Sequence, residues 1–174
     1  MTSSRNKMEE TQNITLQIKT LCDELGVKIG TAESCTSGKV AAMLTNCDGA
    51  SSFFQGGIVA YQNEVKCSIL NVNANTIREY DVVSPQVASE MAEGVFNAIP
   101  NVDIAISTTG YVGKSMNDDI PQGTVFFKIK GMLNETSVML DTSTFETRSD
   151  ATDYVVNEIA KTLVGFLQEL KNMK

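Results

Sequence analysis

Apolar positions along the chain alternate between helical and strand-like spacing. Ile14, Ile18, Leu21, Cys22 and Leu25 recur at helical intervals, and Gly26 stands where a left-handed glycine ends a helix. The apolar run 27–32 predicts a strand, and a helical pattern over 37–46 follows it through Gly38. Residues 47–52 are turn formers, 57–61 predicts a second short strand, and 63–70 a helix with Glu64 in its first turn. The pair Ser84-Pro85 combines an N-cap serine with a proline at the first helical position. The apolar face behind it is Val87, Ala88, Met91, Ala92, Val95, Phe96 and Ile99. A buried strand is expected over 102–107 and a polar loop over 108–122. Two strands, 124–130 and 136–144, form a hairpin around 131–134 before a last helix over 150–171.

Strands alternating with helices and closed by one hairpin predict an α/β fold. Its form is a three-layer α/β/α sandwich around a mixed, mostly parallel sheet. At 174 residues and 42% hydrophobic content the chain fits one domain over 11–174, preceded by a flexible tail over 1–10.

Charge narrows the function classes. The net charge is −7 and the arginines, Arg5, Arg78 and Arg148, form no basic stripe, which disfavours nucleic acid as a partner. Cys22, Cys35, Cys47 and Cys67 lack C-x-x-C spacing, and there is no histidine, so no metal site is expected. Residues 1–10 lack the apolar core of a secretory signal and no run reaches membrane-spanning length. A cytoplasmic protein with no membrane partner is the expectation.

The chemistry concentrates in the octapeptide Thr31-Ala32-Glu33-Ser34-Cys35-Thr36-Ser37-Gly38. A strand that enters a cluster of hydroxyls and a thiol and leaves into a helix can present a nucleophile beside unpaired helix amides. Without histidine a hydroxyl needs another base, and lysine is the usual substitute. Taken alone, Ser34 also fits a turn or cap serine, Cys35 a packed thiol, and Lys66 a solvated charge. Thr36 and Ser37 are expected to cap the helix, and Glu33 to pair with a nearby amide or cation. No G-x-G-x-x-G follows a strand, which argues against a nicotinamide oxidoreductase.

The octapeptide, the segment Gly56-Gly57-Ile58-Val59-Ala60-Tyr61-Gln62-Asn63-Glu64-Val65-Lys66, and Val83-Ser84 followed by Met91-Ala92-Glu93-Gly94 together resemble the CinA C-terminal domain family. The similarity runs from about Leu21 to the C-terminus. Active members of that family are nicotinamide mononucleotide amidohydrolases, and some carry an additional N-terminal domain for which these residues offer no counterpart. The resemblance implies Ser34 as nucleophile, Lys66 as base and Tyr61 as a relay or orienting group. Substrate contacts are expected from Glu33 and the amides of Thr36, Ser37 and Gly38 at the turn, and from Thr109 and Gly110 at the end of a strand; Arg148, where the family also has an arginine, is expected by elimination on a nucleotide phosphate, with Lys114 as a second cation. No cofactor is implied. Expected partners are a small-molecule nucleotide substrate and further copies of the chain in a homo-oligomer.

Two segments depart from the family pattern. Where the family reads Gly-Ile-Ala-Gly-Pro, this chain reads Gly110-Tyr111-Val112-Gly113-Lys114, with the exit Ile120-Pro121-Gln122-Gly123-Thr124-Val125. The turn at Arg148 lacks the family glycine, and a second family arginine is replaced near Thr152. The enzyme reading therefore has a rival, a non-catalytic relative that binds a ligand or partner. A role on DNA has only the family's historical name behind it.

Overall fold

A computed structural model describes residues 2–113 and 122–174. Lys114, Ile120 and Pro121 lie outside the described residues. In chain order the elements are α1 (Thr2–Leu25), β1 (Ile29–Glu33), α2 (Lys39–Leu44), a 3-10 turn (Ala50–Ser52), β2 (Phe54–Val59), α3 (Asn63–Leu70), α4 (Ala74–Tyr80) and α5 (Pro85–Ala98). Then come β3 (Ile104–Gly110), β4 (Thr124–Lys130), β5 (Glu135–Asp141) and α6 (Arg148–Met173).

The five strands form one sheet in the order β2-β1-β3-β4-β5. β1 is parallel to both β2 and β3, while β3/β4 and β4/β5 are antiparallel, so only β4 runs against the rest. Helices cover both faces. One cluster joins Ile18 and Cys22 of α1 and Val155, Ile159 and Leu163 of α6 to Ile29, Ile106, Phe127 and Ile129 of the sheet. The opposite face packs Val87, Met91, Ala92 and Val95 of α5 on Ala32 and Ala105, with Leu70 of α3 beside them. This is the three-layer mixed α/β fold that the strand and helix pattern predicts. Among the described residues no helix is long and apolar enough to cross a membrane.

Several elements differ from expectation. α1 reaches back to Thr2, so residues 2–10 continue a helix where a tail is expected; residues 4–10 are all exposed, and an Arg5–Glu9 pair lies one turn apart at 4.0 Å. Residues 74–80, for which the apolar pattern predicts no element, form α4, capped by Asn73 Oδ1 accepting from the Asn75 amide at 2.8 Å. α4 buries none of its side chains, so periodicity has nothing to register. β3 continues through Gly110 by pairing with β4, which turns Thr108 and Thr109 from loop into strand. β2 stops at Val59, leaving Tyr61 beyond the strand end.

The strongest predicted helix start is built as expected: Ser84 Oγ accepts from the Val87 amide at 3.2 Å, one position past Pro85 and Gln86. α5 then passes so close to α3 that a Cβ on Gly94 would lie 2.3 Å from the Leu70 carbonyl oxygen. That contact seats α3, and with it Lys66, against α5.

Candidate active site

β1 and β3 run side by side and deliver Ser34 and Thr109 to the same carboxyl end of the parallel strands, where open α/β sheets form ligand crevices. Beyond β1 the chain reverses through two consecutive left-handed residues, Ser37 (φ 52°) and Gly38 (φ 91°), which start α2 later than the apolar pattern suggests. The Ser34 amide is turned inward, donating to the Thr108 carbonyl at 3.1 Å and to Thr108 Oγ1 at 3.2 Å. The Ser37 amide donates back to the Ser34 carbonyl at 3.2 Å.

Glu33 organises this turn. It is only 1% exposed. Its carboxylate accepts from Thr36 Oγ1 at 2.6 Å and from the amides of Val40 at 2.9 Å and Ala41 at 3.0 Å. Thr36 and Ser37 are therefore not the caps of α2. Gly38 holds the N-cap position with no side chain, and the carboxylate of Glu33 takes the orphan amides instead. The expected pairing of Glu33 with a nearby amide is what the carboxylate does.

A cleft of about 310 Å³ opens above the turn. Ser34, Tyr61, Lys66, Thr109, Gly110 and Arg148 all line it. Glu33, Thr36, Ser37 and Gly38 do not; they lie within and behind the turn, so the expectation that they touch substrate is corrected to one of support. Lys114 falls outside the described residues.

Lys66 is 1% exposed on α3, and its Nζ donates to the Tyr61 carbonyl at 2.9 Å. Among the described residues no carboxylate lies within 4.0 Å of it. Burial pulls its pKa below the ordinary lysine value, an effect that the Cys35 and Cys67 thiols oppose. Burial acts oppositely on the neighbouring thiol, pushing Cys35 up to about 11 against the smaller influences of Thr108 and Arg148. At neutral pH Cys35 is therefore a protonated thiol; it belongs to the core cluster and also lines the cleft beside Ser34. The amides of Cys35 and Thr36 donate to no other described residue.

The outer wall is looser. Tyr61 is 53% exposed, and its hydroxyl accepts from Arg148 Nη2 at 3.3 Å, while Arg148 Nη1 donates to the Val112 carbonyl at 3.4 Å. Both contacts are at the long limit of hydrogen bonding. Tyr61 thus meets Lys66 through its carbonyl and Arg148 through its hydroxyl, and the hydroxyl relay between Lys66 and Ser34 is not formed. Arg148 opens α6, whose cap is Thr147 Oγ1 accepting from the Asp150 amide at 3.0 Å.

Thr109 Oγ1 donates to the Val82 carbonyl at 2.8 Å, and Tyr111 OH reaches both oxygens of Asp81 at 3.1 Å. These bonds clip the segment before α5 to the end of β3. Tyr111 lines the cleft and Asp81 and Thr108 support it from behind, roles that the sequence reading does not assign to them. For Thr108 the available signal is strand alternation, since neighbours on β3 face opposite sides and one of a Thr-Thr pair must face the Ser34 turn.

With this geometry in hand, similarity to known proteins is informative. The model of the CinA C-terminal domain matches residues 11–167. A putative competence-damage inducible protein of Halothermothrix orenii is 41% identical over 128 residues, 73% of this chain and 31% of that protein. A CinA-like protein of Leptospira borgpetersenii is 41% identical over 133 residues, 75% of this chain and 31% of its own length. The chain thus spans about 31% of the length of these curated relatives. The crystal structure of a competence-damaged protein (CinA) superfamily protein from Klebsiella pneumoniae superposes with a TM-score of 0.84 at 27% identity, covering 91% of this chain and 98% of that one. A competence/damage inducible protein from Agrobacterium tumefaciens gives 0.83 at 28% identity, covering 91% and 95%.

Proposed function

This chain belongs to the CinA C-terminal domain family, and on that premise we propose that it hydrolyses the carboxamide of nicotinamide mononucleotide to nicotinate mononucleotide and ammonia. The observation that carries this reading is the buried Lys66, without a carboxylate partner among the described residues and lowered in pKa by burial, lining one cleft with Ser34. Burial shifts a lysine in that setting toward the neutral amine, the form that can serve as base in a histidine-free hydrolase.

In the proposed reaction Ser34 Oγ attacks the carboxamide carbon while the Lys66 amine takes the hydroxyl proton. One N–H of Lys66 remains on the Tyr61 carbonyl, which aims the nitrogen lone pair. The tetrahedral oxyanion is received by the Cys35 amide, next to Ser34 at the cleft. The Lys66 ammonium then gives its proton to the amide nitrogen, the C–N bond breaks and ammonia departs, leaving an ester on Ser34. Water attacks that ester with Lys66 again as base, and the carboxylate product leaves with Ser34 restored. Arg148, at the mouth of the cleft, reads the nucleotide phosphate.

A ligand-binding protein without turnover is the second reading. It is favoured by one observation: the Lys66 hydrogen bond goes to the Tyr61 carbonyl and none goes to Ser34. Ammonia release decides between them. A panel of nucleotide amides, nicotinamide mononucleotide first, is incubated with folded protein; release of stoichiometric ammonia and carboxylate supports the hydrolase. Tight binding of a nucleotide with no release from any amide supports the binder.

A further inference from the structure

The carboxylate of Glu33 sits beneath the Ser34 turn, 1% exposed, and its three partners among the described residues are all donors: Thr36 Oγ1, the Val40 amide and the Ala41 amide. This fixes the direction of a longer chain. Because the only proton of the Thr36 hydroxyl is spent on Glu33 at 2.6 Å, the 2.9 Å contact between Thr36 Oγ1 and Thr108 Oγ1 must be donated by Thr108. With its own proton directed at Thr36, Thr108 Oγ1 faces Ser34 as an acceptor and receives the Ser34 amide at 3.2 Å. One buried negative charge therefore orders three hydrogen bonds in series, from carboxylate to nucleophile backbone.

We propose that Glu33 is the positioning residue of the site: it holds no substrate, but its carboxylate fixes the turn that presents Ser34, and Cys35 beside it, to the cleft. The inference rests on the hydrolase reading of the same cleft. Its physical basis is the mismatch any neutral replacement creates. A carboxamide at this place has one acceptor oxygen and two N–H donors, so it meets at least one of the three donors with a donor of its own. The turn has little room to adapt, since Ser37, a residue with a Cβ, is already held at φ 52°. The Ser34 amide, once released from Thr108, can rotate toward the cleft, carrying Oγ away from the attacked carbon. A displacement of about 1 Å at the reacting atom costs roughly a hundredfold in rate.

Glu33→Gln in the full chain is the direct test, with turnover and KM for nicotinamide mononucleotide measured together, the nucleotide Kd read by calorimetry, and labelling of Ser34 by a fluorophosphonate read by mass spectrometry. The expected result is a fall in kcat of about a hundredfold, slowed labelling, and KM and Kd within about twofold of wild type. A variant that folds and keeps wild-type kcat and labelling overturns the proposal, as does one that loses affinity in proportion to rate, because Glu33 would then be a binding group. Should Glu33→Gln fail to fold, Thr36→Val and Thr36→Ser decide. Removing the linking hydroxyl should lower kcat by about tenfold at unchanged KM, and the serine, which restores it, should recover most of that loss. Equal kcat in the valine variant and wild type overturns the chain of positioning. Wild-type protein that labels at Ser34 but releases no ammonia would instead overturn the hydrolase reading, leaving the labelling comparison to judge Glu33.

Discussion

The floor and the rim of the cleft are built to different standards. On the floor, Ser34 and Lys66 are 8% and 1% exposed, and the turn beneath Ser34 is held by bonds of 2.6 to 3.0 Å to one carboxylate. On the rim, Tyr61 is 53% exposed and meets Arg148 at 3.3 Å, while Arg148 reaches Val112 at 3.4 Å. The difference separates chemistry from recognition. Groups that break bonds need fixed geometry and a shifted proton affinity, which burial supplies; groups that collect a charged ligand from water can stay solvated and adjust on binding. If that division is right, floor substitutions change turnover and rim substitutions change affinity.

Ser34→Ala should make the largest difference, abolishing ammonia release while leaving thermal unfolding and nucleotide affinity near wild type. Cys35→Ser should keep substantial activity, because burial pushes the thiol up to about 11 and the proposed reaction assigns the attack to Ser34. Equal inactivity in the two variants would blur the floor into a general packing requirement.

Lys66→Met comes next. Turnover should fall by about a hundredfold to ten-thousandfold, the usual contribution of a general base, with Kd little changed. In wild type the acidic limb of kcat against pH should report a group titrating below the ordinary lysine value of about 10.4. Stability carries the same sign. Below its lowered folded-state pKa, Lys66 is protonated in both states and the cost of burying the charge is present in full. Wild-type stability should therefore rise with pH from that lowered value up to about 10.4, where the unfolded lysine also loses its proton. Lys66→Met should remove this slope and raise the melting temperature at neutral pH, read by calorimetry across the range.

Arg148→Ala sharpens the contrast from the other side. A charged hydrogen bond contributes about 1.5 to 3 kcal/mol, so nucleotide affinity should weaken by roughly tenfold to a hundredfold. Affinity for the nucleoside without phosphate should change little. Equal losses for both would show that Arg148 does not read phosphate. The smallest effect is expected of Tyr61→Phe, which deletes a long contact to Arg148 and keeps the carbonyl that holds Lys66; KM should shift a few fold at nearly constant kcat.

How much of this was legible in the chain depended on burial. α3 and β4 fall on their predicted bounds, because a clean apolar pattern marks both. α4 and the first turns of α1 bury nothing and left no such trace. Ser34, Lys66 and Arg148 could be singled out by motif, and they do share a cleft. What motif could not give was direction: Glu33 points under the turn, Thr36 feeds it, and Thr108 reaches across from β3. Those facts depend on two left-handed residues and on strand pairing, which no local pattern encodes.

The most direct test of the central claim is ammonia release from nicotinamide mononucleotide by wild type and Ser34→Ala, measured side by side from acid to alkaline pH on protein of verified fold. The account predicts release by wild type that climbs with pH through a depressed lysine titration and then levels off, and no release above background by the variant at any pH. Matching release by the two proteins, or a wild-type rate that falls as pH rises through neutrality, would contradict it.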